Sequence, residues 1–170
     1  MRSEAESAGA SGEGGGEIKS GGSEEISLPE EKEEPAKKVV WMVDDNLSYA
    51  RSALLAGRSF EKEFSLINFP TGEEAEDRFH ALIEQHGRLP DVVLMDYQLD
   101  KGVENPKYRT GDEVIRRLQS LVQEANLSMP EIFGISGDEE FSKRLLEAGA
   151  VRTVGKLKLL ELFKELSGQK

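Results

Sequence analysis

Val39-Val40-Trp41-Met42-Val43-Asp44-Asp45-Asn46 is an unbroken apolar run that stops on two adjacent carboxylates. Consecutive large apolar residues with no polar alternation predict a strand buried on both faces, as in a parallel sheet. Three later runs repeat the form. Val92-Val93-Leu94-Met95 stops on Asp96, Ile132-Phe133-Gly134-Ile135 on Ser136, and a weaker run from Val151 to Gly155 on Lys156. Three carboxylates, a hydroxyl and an ammonium therefore stand at successive strand ends.

Helical periodicity fills the gaps between these runs. Residues 47–58 place Ala50, Ala53, Leu54 and Gly57 on one face, and 73–85 turn Ala75, Phe79 and Leu82 inward, with Gly87 as the expected C-cap. Residues 112–123 carry Val114, Ile115, Leu118 and Leu121 at helical spacing, 138–148 carry Phe141, Leu145 and Leu146, and 157–166 carry Leu159, Leu162, Phe163 and Leu166. A further short strand spans 64–69, ended by the turn Pro70-Thr71-Gly72. Five strands alternate with five helices, and right-handed crossovers then give an α/β fold. The expected architecture is a five-stranded parallel sheet, doubly wound, in the flavodoxin-like order 2-1-3-4-5. Trp41, Val39 and Val43 are expected in its core, and His80 and His86 on its surface. Leu157 and Leu160 are read either as packing or as part of a partner face.

The chain has 170 residues, room for one domain and additional segments. Residues 1–36 are rich in Gly, Ser and Glu and are expected to form a disordered, solvating leader ahead of a domain over 37–170. The chain has no cysteine, which excludes disulfides and thiolate metal sites. No signal-peptide pattern or membrane-length apolar run is present, so the expected location is the cytoplasm. A net charge of −11 argues against a nucleic-acid partner.

In the order 2-1-3-4-5 ligands bind in the crevice between strands 1 and 3, at their carboxyl ends. Those ends are Asp44-Asp45 and Asp96, flanked by Ser136 and Lys156. Clustered carboxylates repel unless a cation or proton intervenes, and a hard cation such as Mg²⁺ takes oxygen ligands. An aspartate can attack phosphorus, with the developing charge met by metal, ammonium and hydroxyl. Asp96 is central and is the expected nucleophile, with Lys156 the ammonium and Ser136 the hydroxyl. Asp is also common at helix starts, so Asp44-Asp45 can alternatively be read as capping the helix that follows.

Taken together, Val43-Asp44-Asp45-Asn46, Met95-Asp96, Ile135-Ser136-Gly137 and Gly149-Ala150 followed by Lys156 resemble the receiver domain of two-component response regulators, over Lys38 to about Lys170. The resemblance implies that Asp96 accepts a phosphoryl group from a phosphohistidine of a sensor histidine kinase or histidine phosphotransfer protein. It implies a Mg²⁺ site made by Asp45, Asp96 and the main-chain carbonyl of Gln98, with Asp44 acting through a metal-bound water and Asn46 lining the site. Ser136 would contact the phosphoryl group and carry the switch, and Lys156 would pair with that group. The output would be a surface read by a downstream protein target, the chain being a monomer or a phosphorylation-dependent dimer without a further output domain.

Three departures from the family pattern stand out. Leu157 follows Lys156 where the family has proline, commonly cis. A cis bond before Leu would cost about 3 kcal/mol, so this loop either stores strain or takes another path. Thr153 stands where an aromatic residue often rotates inward on activation. The segment 97–111 is long for an α/β connection; it is expected to overhang the site, as a cover or donor selector, or to be a surface insertion. Two other functions fit the same residue types. One is a non-phosphorylated adaptor that keeps only the fold. The other is a phosphatase resembling haloacid-dehalogenase-like hydrolases, although their Asp-x-Asp motif is replaced by Asp96-Tyr97-Gln98 here.

Overall fold

The computed structural model describes residues 36–101 and 104–169. The expected leader over 1–36 thus lies outside the described residues, except for Ala36. The strands are β1 (Lys38–Val43), β2 (Phe64–Phe69), β3 (Val92–Asp96), β4 (Glu131–Ile135) and β5 (Arg152–Val154). The helices are α1 (Leu47–Gly57), α2 (Gly72–Glu84), α3 (Gly111–Glu124), α4 (Glu139–Glu147) and α5 (Leu159–Leu166). All five strands are parallel, in the order β2-β1-β3-β4-β5. The fold and strand order are those expected from the sequence.

Successive side chains of a strand point to opposite faces, so each strand feeds two cores. Trp41, Val43, Val93, Met95 and Ile132 pack under α2, α3 and α4 with Phe79, Val114, Leu118 and Leu145. Val40, Met42, Val92, Leu94, Phe133 and Ile135 pack under α1 and α5 with Ala53, Leu159, Leu162 and Phe163. Gly134 lets α4 close on β4: a Cβ there would lie 2.8 Å from Leu145 Cδ1 and 2.9 Å from Thr153 Cγ2. Among the described residues no helix is long and apolar enough to cross a membrane.

Several local expectations are corrected. Leu54 and Leu146 face solvent rather than the core. α2 is capped by Gln85, and the left-handed residue that follows is His86, with a φ of 52°, and not Gly87. The His86 N–H donates to Ile83 O at 3.1 Å and the Gly87 N–H to Leu82 O at 2.8 Å, the paired closure of a Schellman end. α5 starts two residues later than expected, after a 3-10 turn over Lys156–Lys158 closed by the Lys158 N–H on Gly155 O at 2.8 Å. The Lys156–Leu157 peptide is trans, so the loop takes the other path. That turn leaves Leu157 102 % exposed, and Leu160 is exposed beside it.

The segment after β3 is not a loose surface loop. It returns on itself as a short antiparallel ribbon, pairing Gln98 with Thr110. The Leu99 N–H donates to Arg109 O at 2.9 Å and the Gly111 N–H to Tyr97 O at 2.7 Å. Leu99 is 1 % exposed and joins Tyr97 and Tyr108 in the core under α2 and α3. The polar half of the ribbon is fixed by α2. Glu76, 5 % exposed, accepts from the Tyr108 hydroxyl at 2.7 Å, from Arg117 Nε at 2.7 Å and from the Lys107 ammonium. Burial pushes the Glu76 carboxyl up, and the hydrogen bonds from Arg117, Lys107 and Tyr108 more than reverse this, bringing it down to about 2.

Candidate functional site

The parallel register carries β1 and β3 to the same edge, pairing Val43 with Met95, so the next residues of both strands meet there. Asp44 is buried, held by its N–H on Phe69 O at 3.1 Å. Its Oδ1 accepts from the Asn46 N–H at 2.8 Å. Asn46, not the acidic pair, caps α1, its Oδ1 accepting from the Tyr49 N–H at 3.1 Å. The capping reading of Asp44-Asp45 is therefore set aside, and both carboxylates are left for the crevice.

Lys156 reaches this crevice from the end of β5. Its ammonium donates to Asp96 Oδ2 at 2.7 Å and to Asp44 Oδ2 at 3.0 Å. It also lies 4.8 Å from the centre of the Tyr49 ring, whose hydroxyl donates to the Lys156 carbonyl at 3.0 Å. Tyr49 thus fixes the backbone that aims the ammonium. The remaining Asp96 oxygen, Oδ1, accepts from the N–H of Tyr97 at 2.9 Å. Carboxylate oxygens of Asp44, Asp45 and Asp96 all lie within 4.8 Å of one another.

Asp45 differs from its neighbours. Its Oδ2 accepts from the main-chain N–H of Lys101 at 2.6 Å, while its Oδ1 is buried without a partner. Three acids and one ammonium leave the crevice short of positive charge, and an orphaned carboxylate oxygen is what a hard cation takes. The donor set, all oxygen, fits Mg²⁺.

The electrostatics follow from this crowding. Burial, then the charge of Asp44, pushes the Asp96 carboxyl up to about 6 against the opposing pull of Lys156. Burial also raises Asp45, with Asp44 adding to it and the Lys101 amide opposing. Burial alone would lower the Lys156 ammonium, but its hydrogen bonds to Asp96 and Asp44 hold it above its ordinary value.

Ser136 follows β4 directly, its N–H donating to Val154 O at 3.1 Å. Its hydroxyl accepts from the Asp138 N–H at 3.1 Å, at the start of α4. A cavity of about 290 Å³ opens between these groups, lined among others by Asn46, Asp96, Gln98, Lys101, Ser136 and Lys156. Of the residues singled out in the sequence, Asp44, Asp45, Asp96 and Lys156 converge within hydrogen-bond or ligand distance of one another. Ser136 and Gln98 line the same cavity but make no side-chain bond to the acids. Thr153 lies on β5, partly buried, and an aromatic ring stands elsewhere: Tyr97, directly after Asp96, stacks on Phe141 of α4 at 4.2 Å and accepts from Arg144 Nη1 at 3.1 Å.

Three residues that shape the site or the ribbon beside it were passed over by the side-chain motifs. Lys101 contributes through its backbone. Tyr49 lies in the first turn of α1, an ordinary amphipathic helix. Glu76 had a signal, because it shares the inward face of α2 with Gly72 and Phe79, where a carboxylate requires partners.

No family model and no curated protein matches the sequence. Solved structures do match the fold. The receiver domain of the histidine kinase CKI1 from Arabidopsis thaliana, complexed with Mg²⁺ and BeF₃⁻, is 21% identical, with a TM-score of 0.58 over 78% of this chain and 91% of that one. A CheY-like response regulator receiver domain protein from Methanospirillum hungatei is 19% identical, with a TM-score of 0.54 over 78% of this chain and 95% of that one. CheX–CheY–BeF₃–Mg from Borrelia burgdorferi matches at 18% identity, with a TM-score of 0.53 over 76% of this chain and 88% of that one. By its parallel sheet, strand order and these neighbours, the chain has the fold of response regulator receiver domains.

Proposed function

We propose that this protein is a cytoplasmic receiver that accepts a phosphoryl group on Asp96 from a phosphohistidine of a sensor kinase or phosphotransfer protein. The reading rests above all on one observation: a carboxylate only 5 % exposed, at the switch point of the sheet, bonded to Lys156 and grouped with two further acids. One Asp96 oxygen attacks phosphorus, the phosphorus–nitrogen bond breaks, and the imidazole nitrogen leaves with the electron pair. Lys156, already 2.7 Å from Asp96, faces the charge that gathers on the phosphoryl oxygens. Asp45, Asp96 and the Gln98 carbonyl would hold Mg²⁺, with Asp44 acting through water. When bound, the ion neutralises charge on the transferring group.

Ser136 carries the switch. Its hydroxyl rests on the first turn of α4, and turning toward a phosphoryl group gives up the Asp138 bond and pulls on that helix. The resulting surface is read by a downstream protein, with residues 1–36 as an acidic leader.

The test is intact mass after incubation with a small acyl-phosphate donor and MgCl₂. One added phosphoryl group per chain is expected, absent without the ion and absent in Asp96→Asn. An unmodified mass at saturating donor and metal refutes the reading. A stoichiometric burst without steady turnover of a phosphate monoester separates it from a phosphatase.

A further inference from the structure

We propose that the main-chain N–H of Lys101 is a positioning donor for the cation site, holding Asp45 so that one of its oxygens is kept free for the ion. The inference rests on the reading of the crevice as a Mg²⁺ site. Asp45 has two oxygens with opposite fates. Oδ2 is occupied by the Lys101 N–H at 2.6 Å, a charge-assisted bond to a residue 56 positions away. Oδ1 is buried and has no partner. A free aspartate end rotates about its last torsion and presents either oxygen. The Lys101 bond removes that freedom and keeps Oδ1 unpartnered, on a carboxylate that has an oxygen within 4.8 Å of those of Asp44 and Asp96.

The donor is itself held. Lys101 lies two residues beyond Leu99, which is buried and tied by its N–H to Arg109 O at 2.9 Å. The returning strand is clamped to α2 through Tyr108 and Glu76 at 2.7 Å. The long segment after β3 is therefore tied to the acidic crevice at Lys101. It supplies an outer-shell hydrogen bond, and such partners typically carry 10–100-fold in metal affinity.

The amide and the side chain of Lys101 are separable. Lys101→Ala keeps the N–H and removes the ammonium; Lys101→Pro removes the N–H. Mg²⁺ affinity is measured on the full chain by calorimetric titration with MgCl₂. Lys101→Ala is expected to bind within about threefold of the parent, and Lys101→Pro to bind at least about tenfold more weakly. Equal affinity of Lys101→Pro and the parent overturns the inference, as does an equal loss in Lys101→Ala. A measurement on the unaltered protein guards against a misfolded proline variant: hydrogen exchange at the Lys101 amide. The amide is expected to be protected both without and with MgCl₂, and free exchange in the metal-free protein overturns the proposal. A parent chain that binds no Mg²⁺ refutes the cation site itself, an outcome distinct from a parent that binds and a proline variant that binds equally well.

Discussion

Replacing Glu76 by glutamine keeps the shape of the side chain and removes the charge on which Lys107, Tyr108 and Arg117 converge. Moving that carboxyl from an ordinary 4.5 down to about 2 corresponds to about 3.4 kcal/mol at full strength. Lys107 and Arg117 are 55% and 39% exposed, so water screens part of this and about 2 kcal/mol is the working figure at neutral pH. The sign is fixed by the direction of the shift. A depressed carboxyl stabilises the fold above its unfolded value and loses that contribution as pH falls toward its folded value. Glu76→Gln should therefore be about 2 kcal/mol less stable at pH 7. The gap should narrow below about pH 5 and stand at less than half its neutral value by pH 3. Urea unfolding of both proteins across this range, followed by circular dichroism, measures the gap directly. A gap under about 0.5 kcal/mol at pH 7, or one that is the same at pH 7 and pH 3, refutes the role given to Glu76.

Two further outcomes follow from the crevice. Asp96→Asn removes a carboxyl that burial and Asp44 hold up at about 6, so in metal-free buffer the variant should be about 1–2 kcal/mol more stable at pH 7. The raised carboxyl favours the fold at low pH and loses that contribution as pH rises through about 6, so thermal melts should show this advantage vanish near pH 4. Gly111→Ala places a Cβ 2.1 Å from the Asp96 carbonyl and 2.6 Å from Met95 Cγ. It should cost about 3 kcal/mol in urea unfolding and weaken Mg²⁺ binding as well, because the backbone that must yield is that of Asp96.

The strands were legible because a parallel strand is buried on both faces, so Val39–Val43 and Val92–Met95 read as continuous apolar runs. The candidate site was legible for a related reason: such strands end at one edge, and the first polar residue after each run falls there. Asp44, Asp45, Asp96 and Lys156 were found this way. Other features depend on partners distant in sequence. Leu99 and Tyr108 sit singly among polar residues, and only the ribbon pairing of 97–99 with 109–111 makes them core. Glu76 meets Lys107 and Arg117 from 31 and 41 positions away. The left-handed His86 preempted Gly87 as the helix end, which residue preference alone reads the other way. Lys101 acts through a group that every residue but proline carries, so no side-chain pattern could point to it.

The ribbon also constrains positions outside itself. A Cβ on Gly72, the first residue of α2, would sit 3.0 Å from Tyr108 Cδ2 and 2.6 Å from Val114 Cγ2. The bare glycine is thus the space into which Tyr108 closes, and Glu76, one turn further on, is the acceptor for its hydroxyl. Positions 72, 76 and 108 form one steric and polar unit although they are scattered along the chain. A relative that lacks the long segment has no tyrosine to accommodate and no buried hydroxyl to satisfy. It is then free to carry a side chain at the first position and an apolar residue at the second. Among related sequences these three positions should be gained and lost together, and such covariation would date the ribbon as a single acquisition rather than a gradual lengthening.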